Sequence, residues 1–288
     1  MLSTLLTSAR REHRGIPYLN PERATFGFMD VVEIDGLRVA FRRAGNGPAV
    51  VFVHGGAEDG RAWTPQLEAL ADEFTVIAWD EPGAGSSDDV PEGFVLSDYA
   101  DHLAGLIRAL DISPCTLVGL SWGVTVILEL YRRHPDVMRS LVLADGYAGW
   151  RGSLGPDEAD ARLAGLLNQP SDSFDPTLPG LFAGPPPPEF VPLLEAMTAD
   201  VRRRSMLTAL TAMAHADLTD VLGTIQVPTQ LIWGALDARS PLAVANEFEH
   251  QIQGAGLAVI PDCGHVSNLE APEAFNDILR EFLRRHAA

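Results

Sequence analysis

Residues able to do chemistry cluster in this chain where short apolar runs end. Gly119-Leu120-Ser121-Trp122-Gly123 joins one such run, Cys115–Leu120, to a helical stretch, Trp122–His134. A serine on so tight a strand-to-helix turn is held in strained backbone geometry, with its hydroxyl above the sheet edge. Side chains two residues before and two after it would collide, which accounts for glycine on both flanks. The helix starting at Trp122 offers unpaired N–H groups and a positive dipole end to a developing oxyanion. That is equipment for nucleophilic attack on a carbonyl, and it requires a base and an acid that orients the base.

Eight histidines are available as the base. His265 lies in Pro261-Asp262-Cys263-Gly264-His265, just past the last expected strand, at the sheet end where open α/β folds place their sites. His134 instead ends a helix, and His13, His102, His215, His250 and His286 belong to no motif. Two carboxylates compete to orient the base: Asp237, in Gly234-Ala235-Leu236-Asp237, and Asp145, in Leu143-Ala144-Asp145. Both follow strands. The order Ser121…Asp237…His265 is the one used with a serine on such an elbow, and it favours Asp237. His54-Gly55-Gly56 follows the run Ala49–Val53, so its loop can aim a backbone N–H at the site. The oxyanion hole is therefore assigned to the N–H groups of Gly56 and Trp122, with His54 as a loop brace. Asp80–Ser87 is a structural turn, because its glycines do not complete a dinucleotide fingerprint.

These positions need a scaffold that brings several strand ends together. Asp30–Asp35 and Leu37–Arg43 alternate on either side of Gly36 and predict a hairpin. Ala49–Val53, Thr75–Trp79, Cys115–Leu120 and Ser140–Ala144 are nearly continuous apolar runs, as in strands buried on both faces. Helical patterns over 63–72, 97–110 and 122–134 separate them. The alternation stops near Ala144, gives way to about 80 residues of helical periodicity, and resumes at Thr229–Gly234, Gly256–Ile260 and a helix over 271–285. The expectation is an α/β fold: a doubly wound, mostly parallel sheet formed by 29–145 and 227–288, with an inserted helical cap at 146–226. Residues 1–28 form an additional arm. Eight of the 21 prolines lie between Pro170 and Pro192, which predicts a stiff extended loop in the cap.

Composition narrows the partners. The 288 residues carry 21 Lys and Arg against 39 Asp and Glu, a formal charge of −18. So acidic a surface disfavours nucleic acid and anionic membranes and leaves a small molecule as the expected partner. The Arg202-Arg203-Arg204 run reads as a solvated helix face. Cys115 and Cys263 are too few for a disulfide framework and suit no zinc motif, so two free thiols and a reducing, cytoplasmic setting are expected. No metal-ligand cluster, signal peptide or membrane span is predicted.

In His54-Gly55-Gly56, Asp80–Ser87, Gly119–Gly123, Gly234–Asp237 and Gly264-His265, taken in this order, the chain resembles the α/β-hydrolase superfamily of the serine-nucleophile type. The resemblance runs from about residue 30 to the end. It implies a cap over the site and no cofactor. Trp122 together with His54-Gly55-Gly56 also resembles proline iminopeptidases, although Ala57-Glu58 and Glu81-Pro82 stand where those enzymes carry Pro-Gly and Gln-Arg. Ser121 argues against the relatives with an aspartate nucleophile. The resulting expectation is a serine hydrolase acting on a carboxylic ester, lactone or thioester of a small, mainly apolar substrate. Leu166, Leu167, Phe174, Leu181, Phe182, Phe190 and Met197 are the candidate pocket walls. The alternatives are an aminopeptidase using Glu189, Glu195 or Asp200 to hold an ammonium, a cofactor-free haloperoxidase, a carbon–carbon bond hydrolase, and a hydrolase-fold ligand receptor.

Overall fold

The computed structural model describes residues 29–168 and 180–287. The expected N-terminal arm, Phe174 and part of the proline-rich stretch lie outside them. The chain opens with an antiparallel hairpin, β1 (Met29–Ile34) and β2 (Leu37–Ala44), turning at Asp35 and Gly36. Both turn residues have positive φ, 47° and 83°, the twist that suits a two-residue hairpin. β3 (Ala49–Val53), β4 (Thr75–Trp79), β5 (Cys115–Leu120), β6 (Met138–Ala144), β7 (Thr229–Gly234) and β8 (Gly256–Ile260) complete an eight-stranded sheet. Its order is β1-β2-β4-β3-β5-β6-β7-β8, and it is parallel from β4 through β8. β6 begins two residues before the expected Ser140.

The two-residue period of a strand sorts each run onto both faces of the sheet. In β3, Val51 and Val53 join one core and Val50 and Phe52 the other. The first core is covered by α2 (Leu96–Ala109), α3 (Trp122–Arg133) and α9 (Leu242–Gln251); the second by α1 (Thr64–Leu70) and α11 (Pro272–His286). Continuous apolar runs are therefore required, because neither face meets water. The helix expected from residue 63 divides into a 3-10 turn, Gly60–Trp63, and α1, because Pro65 favours a fresh helix start. The four-residue α10 (Ser267–Glu270) was too short to be seen by periodicity.

Between β6 and β7 lie α4 (Trp150–Leu154), α5 (Pro156–Leu167), α6 (Val191–Ala199), α7 (Arg203–His215) and α8 (Thr219–Leu222), with no strand among the described residues. Arg202 is not simply a solvated helix residue. Its guanidinium donates to Gly83 O at 3.1 Å and Ser87 O at 2.8 Å, tying the Asp80–Ser87 turn to the foot of α7.

The winding reverses at β3, which has β4 on one side and β5 on the other. Such a switch point opens a crevice at the strands' carboxyl ends. The loops there pack closely: a Cβ on Gly234 would lie 2.0 Å from Gly264 O and 2.5 Å from Cys263 O. Gly36, despite its φ of 83°, has nothing within 4 Å of such a Cβ. Gly234→Ala is therefore expected to destabilise the fold by roughly 2–4 kcal/mol, through forced movement of the 263–264 backbone. Gly36→Ala should cost about 1 kcal/mol, the strain of a Cβ at positive φ. Thermal unfolding of the two variants checks this; equal losses would contradict the packing argument.

Candidate active site

Ser121 sits between β5 and α3 at φ 52° and ψ −112°, a conformation residues with a Cβ rarely adopt. The flanking glycines are required by contact. A Cβ at Gly119 would lie 2.9 Å from the Gly123 carbonyl carbon, and one at Gly123 would lie 2.3 Å from Val53 O. α3 can thus start against the end of β3 only without those side chains. The Ser121 N–H donates to Ala144 O at 3.0 Å, which anchors the turn to β6. Trp122 is the first residue of α3, so its N–H belongs to the first-turn donors that lack an intrahelical partner. Gly56 lies beside it: a Cβ there would be 3.8 Å from Trp122 Cβ.

His265 and Asp237 arrive from the other loops. With its proton on Nδ1, the His265 imidazole donates to Asp237 Oδ2 at 2.8 Å, and its Nε2 accepts from the Ser121 hydroxyl at 2.9 Å. The Asp237 Oδ1 accepts the backbone N–H groups of Arg239 and Ser240, both at 2.8 Å. That loop fixes the carboxylate with one oxygen aimed at the imidazole. The His265 N–H donates to Leu181 O at 2.8 Å, and Glu270 accepts from Gly264 N–H and Ala183 N–H at 2.6 and 2.8 Å. The 181–183 segment and the histidine loop are thereby joined.

Asp145, the competing carboxylate, has other partners. Fully buried, it accepts from Gly234 N–H at 2.8 Å and from the Ser267 hydroxyl. Burial, then the neighbouring Asp237 charge, pushes it well above the usual carboxylate range. It braces the ends of β6 and β7 and the start of α10.

Behind the Trp122 turn is a second buried group. The Trp122 indole Nε1 donates to Glu81 Oε2 at 2.6 Å, and Glu81 N–H donates to His54 Nε2 at 3.2 Å. His54 Nδ1 in turn donates to Gly55 O at 2.8 Å, which makes it the brace of its own loop. Burial pushes the Glu81 carboxyl up to about 7. Asp80 anchors the adjoining turn by accepting from Gly60 N–H, Ser86 N–H and Arg42.

Ser121 and His265 open onto a cavity of about 400 Å³. Of the expected walls, Leu166, Leu181, Phe182 and Met197 line it. Leu167 does not: it is 53% exposed, because neighbouring helix positions point about 100° apart and Leu166 takes the inward one. Phe190 also does not; it packs in a separate cluster with Leu193, Leu194 and Met197. Glu189, Glu195 and Asp200 are absent from the lining, and Asp200 pairs with Arg61 at 2.8 Å. The carboxylate that does reach the cavity is Glu58, whose Oε2 accepts Gly55 N–H at 2.9 Å.

Tyr147, Trp150, Arg162 and Arg239 also line it. Sequence reasoning missed all four, although Arg239 stands two residues past Asp237 and Tyr147 two past Asp145, on loops already marked as functional. Cys115 and Cys263 are buried and unbonded. Among the described residues, no group of three His, Cys, Asp or Glu could hold a metal, and no helix is long and apolar enough to cross a membrane.

Residues 50–278 match the model of the Alpha/beta hydrolase family. RutD of Pantoea ananatis, provisionally named a carbamate hydrolase, is 31% identical over 249 residues, 83% of this chain and 89% of that protein. The 3-oxoadipate enol-lactonase 1 of Acinetobacter baylyi is 28% identical over 250 residues, 83% of this chain and 90% of that one. A thermophilic esterase from Thermogutta terrifontis superposes with a TM-score of 0.79 at 31% identity, covering 88% of this chain and 96% of its own. In sheet order, strand-to-helix turn and sequence alike, the chain belongs to the alpha/beta hydrolase family.

Proposed function

We propose that this hydrolase cleaves a carboxylic ester, lactone or thioester of a small substrate through an acyl-enzyme on Ser121. The observation that carries this reading is the hydrogen-bonded sequence Ser121–His265–Asp237, which opens onto a largely apolar cavity. The likeness to an enol-lactonase and an esterase supports it.

In this mechanism Ser121 Oγ attacks the carbonyl while His265 Nε2 takes its proton. Asp237 holds the imidazole in the tautomer that leaves Nε2 free and stabilises the imidazolium. The N–H groups of Gly56 and Trp122 hold the oxyanion. The imidazolium protonates the leaving oxygen or sulfur. Water, activated by the same Nε2, then releases the acid and restores Ser121. Asp237 and His265 are 6% and 3% exposed, so the pair is largely shielded from bulk water and is reached through the cavity.

Ser121→Ala should lower ester turnover by roughly 10⁴-fold or more, since these residues act as a unit. A fluorophosphonate should label Ser121 alone; labelling at Ser86 or Ser87 with Ser121 untouched would overturn the mechanism. Asp237→Asn should lose about 10⁴-fold near pH 7, because the imidazole takes the other tautomer. Asp145→Asn should lose far less, and circular dichroism would confirm that both variants fold. The reverse pattern would move the orienting role to Asp145.

The Glu81 group predicts a pH dependence of stability. Its folded pKa, about 7, lies above its ordinary 4.5, so between these values the folded chain keeps a proton that the unfolded chain has released. Its contribution is fully present below about 4.5 and is lost as pH rises through about 7, a change on the order of 3 kcal/mol. Glu81→Gln keeps an acceptor for the Trp122 indole and cannot ionise. The variant's thermal midpoint should therefore fall less than the wild type's between pH 5 and 8. Parallel curves would show that Glu81 does not titrate there.

A further inference from the structure

Two guanidinium groups line the cavity beside Tyr147 and His265. Arg162, from α5, bonds through Nη1 to Tyr147 Oη at 3.3 Å and to Arg239 O at 3.0 Å, and through Nε to Glu158 at 2.7 Å. Its guanidinium carbon lies 5.8 Å from the Trp150 ring centre. The Tyr147 ring centre is 6.0 Å from that of His265, which places this end of the cavity next to the reacting serine.

Arg239 is the anomaly. It lies on the loop after β7 and lines the cavity, yet its Nε is enclosed and has no hydrogen-bond partner among the described residues. The nearby carboxylate, Asp237, is committed: Oδ2 to His265 and Oδ1 to two backbone N–H groups. Gly180 packs near the Arg239 stem, with a Cβ there 3.4 Å from Arg239 Cγ. An enclosed guanidinium nitrogen without a hydrogen-bond partner is costly, and a second guanidinium alongside adds repulsion. Burial, with Arg162 opposing its charge, holds the Arg239 pKa below its ordinary value. Such a group is stabilised by an anion that enters the cavity. Glu58, by contrast, sits against Gly55 at the oxyanion side, so an anion is favoured at the arginine end and disfavoured at the other.

We propose that Arg239, assisted by Arg162, forms a subsite for a carboxylate carried by the substrate. This rests on the ester-hydrolase reading above and refines it: the substrate has an apolar body between its scissile carbonyl and an anionic end. A carboxylate presents a planar pair of oxygens that the guanidinium fork can hold with two hydrogen bonds. One negative charge also suffices, since Glu158 already offsets part of the Arg162 charge.

The test compares the 4-nitrophenyl hemiester of glutaric acid with neutral 4-nitrophenyl hexanoate. In Ser121→Ala, which cannot turn over, calorimetry should find the hemiester bound at least 10-fold more tightly than the hexanoate. Adding Arg239→Met should abolish that preference, a loss of roughly 10- to 100-fold, and Arg239→Lys should retain part of it. In the active enzyme, Arg239→Met should lower the hemiester-to-hexanoate ratio of kcat/KM by the same factor, chiefly through KM. Without ligand, Arg239→Met should also unfold at the same or a higher temperature than wild type, because it removes an enclosed nitrogen that has no partner among the described residues and relieves repulsion with Arg162; a purely structural arginine would give a lower midpoint. Equal binding of the two esters, a preference surviving Arg239→Met, or inorganic phosphate competing as well as glutarate would each overturn the carboxylate subsite. If the hemiester binds preferentially but neither ester is hydrolysed by wild type, the subsite stands and the hydrolase mechanism falls.

Discussion

The backbone at Ser121 is held at φ 52° and ψ −112°, at a cost of roughly 1–3 kcal/mol for a residue with a Cβ. The surroundings leave it no alternative. Gly123 lies so close to Val53 that a Cβ there would fall 2.3 Å from its carbonyl oxygen, and the Ser121 N–H is held by Ala144. Three strands, β3, β5 and β6, therefore converge on one residue. The turn projects the hydroxyl into the crevice where the winding of the sheet reverses, and directs the first N–H of α3 to the same place. Loosening any of these contacts would let the turn relax, and the hydroxyl would no longer meet His265.

Carboxylates are numerous in this acidic chain, and the buried ones are kept apart by giving each its own donors. Asp80 takes two backbone N–H groups and Arg42; Asp145 takes Gly234 and Ser267; Asp237 takes His265 and two N–H groups; Glu81 takes the Trp122 indole. The division separates roles among chemically identical groups. Asp237 has a basic partner within the site, His265, held by one oxygen while the loop's N–H groups hold the other. Asp145 and Glu81, with mainly neutral donors and deep burial, are pushed toward their protonated forms and suit bracing.

The cavity has the opposite character at its arginine end, beside Tyr147 and His265. Its walls are largely aliphatic and aromatic, while Arg239 brings in a cationic group whose Nε has no hydrogen-bond partner among the described residues. The protein tolerates that cost next to the reaction centre, where a polar end of a ligand can offset it.

Much of this arrangement was legible in the amino-acid sequence, for a local reason. Strands buried on both faces must be apolar throughout, so four of the expected strands, Ala49–Val53, Thr75–Trp79, Cys115–Leu120 and Thr229–Gly234, coincide with the observed ones, as does the partly exposed edge strand Gly256–Ile260. The glycines around Ser121 and the positions of Asp237 and His265 just past strand ends are likewise local signals, and the structure brings those three side chains into hydrogen-bonding distance. What only the tertiary structure decided is which side chains from distant segments share the cavity. Leu166 and Leu167 are adjacent and equally apolar, and only the docking of α5 turns one inward and leaves the other exposed. Asp145 and Asp237 both follow strands, and the choice between them was made by loop geometry 28 residues from His265 rather than by residue type. Arg162 and Arg239 lie 77 residues apart and become a pair through one contact, Nη1 of the first to the carbonyl of the second. A residue's chemistry is carried by its type, but its partners are set by folding, because burial and direction depend on what packs against it.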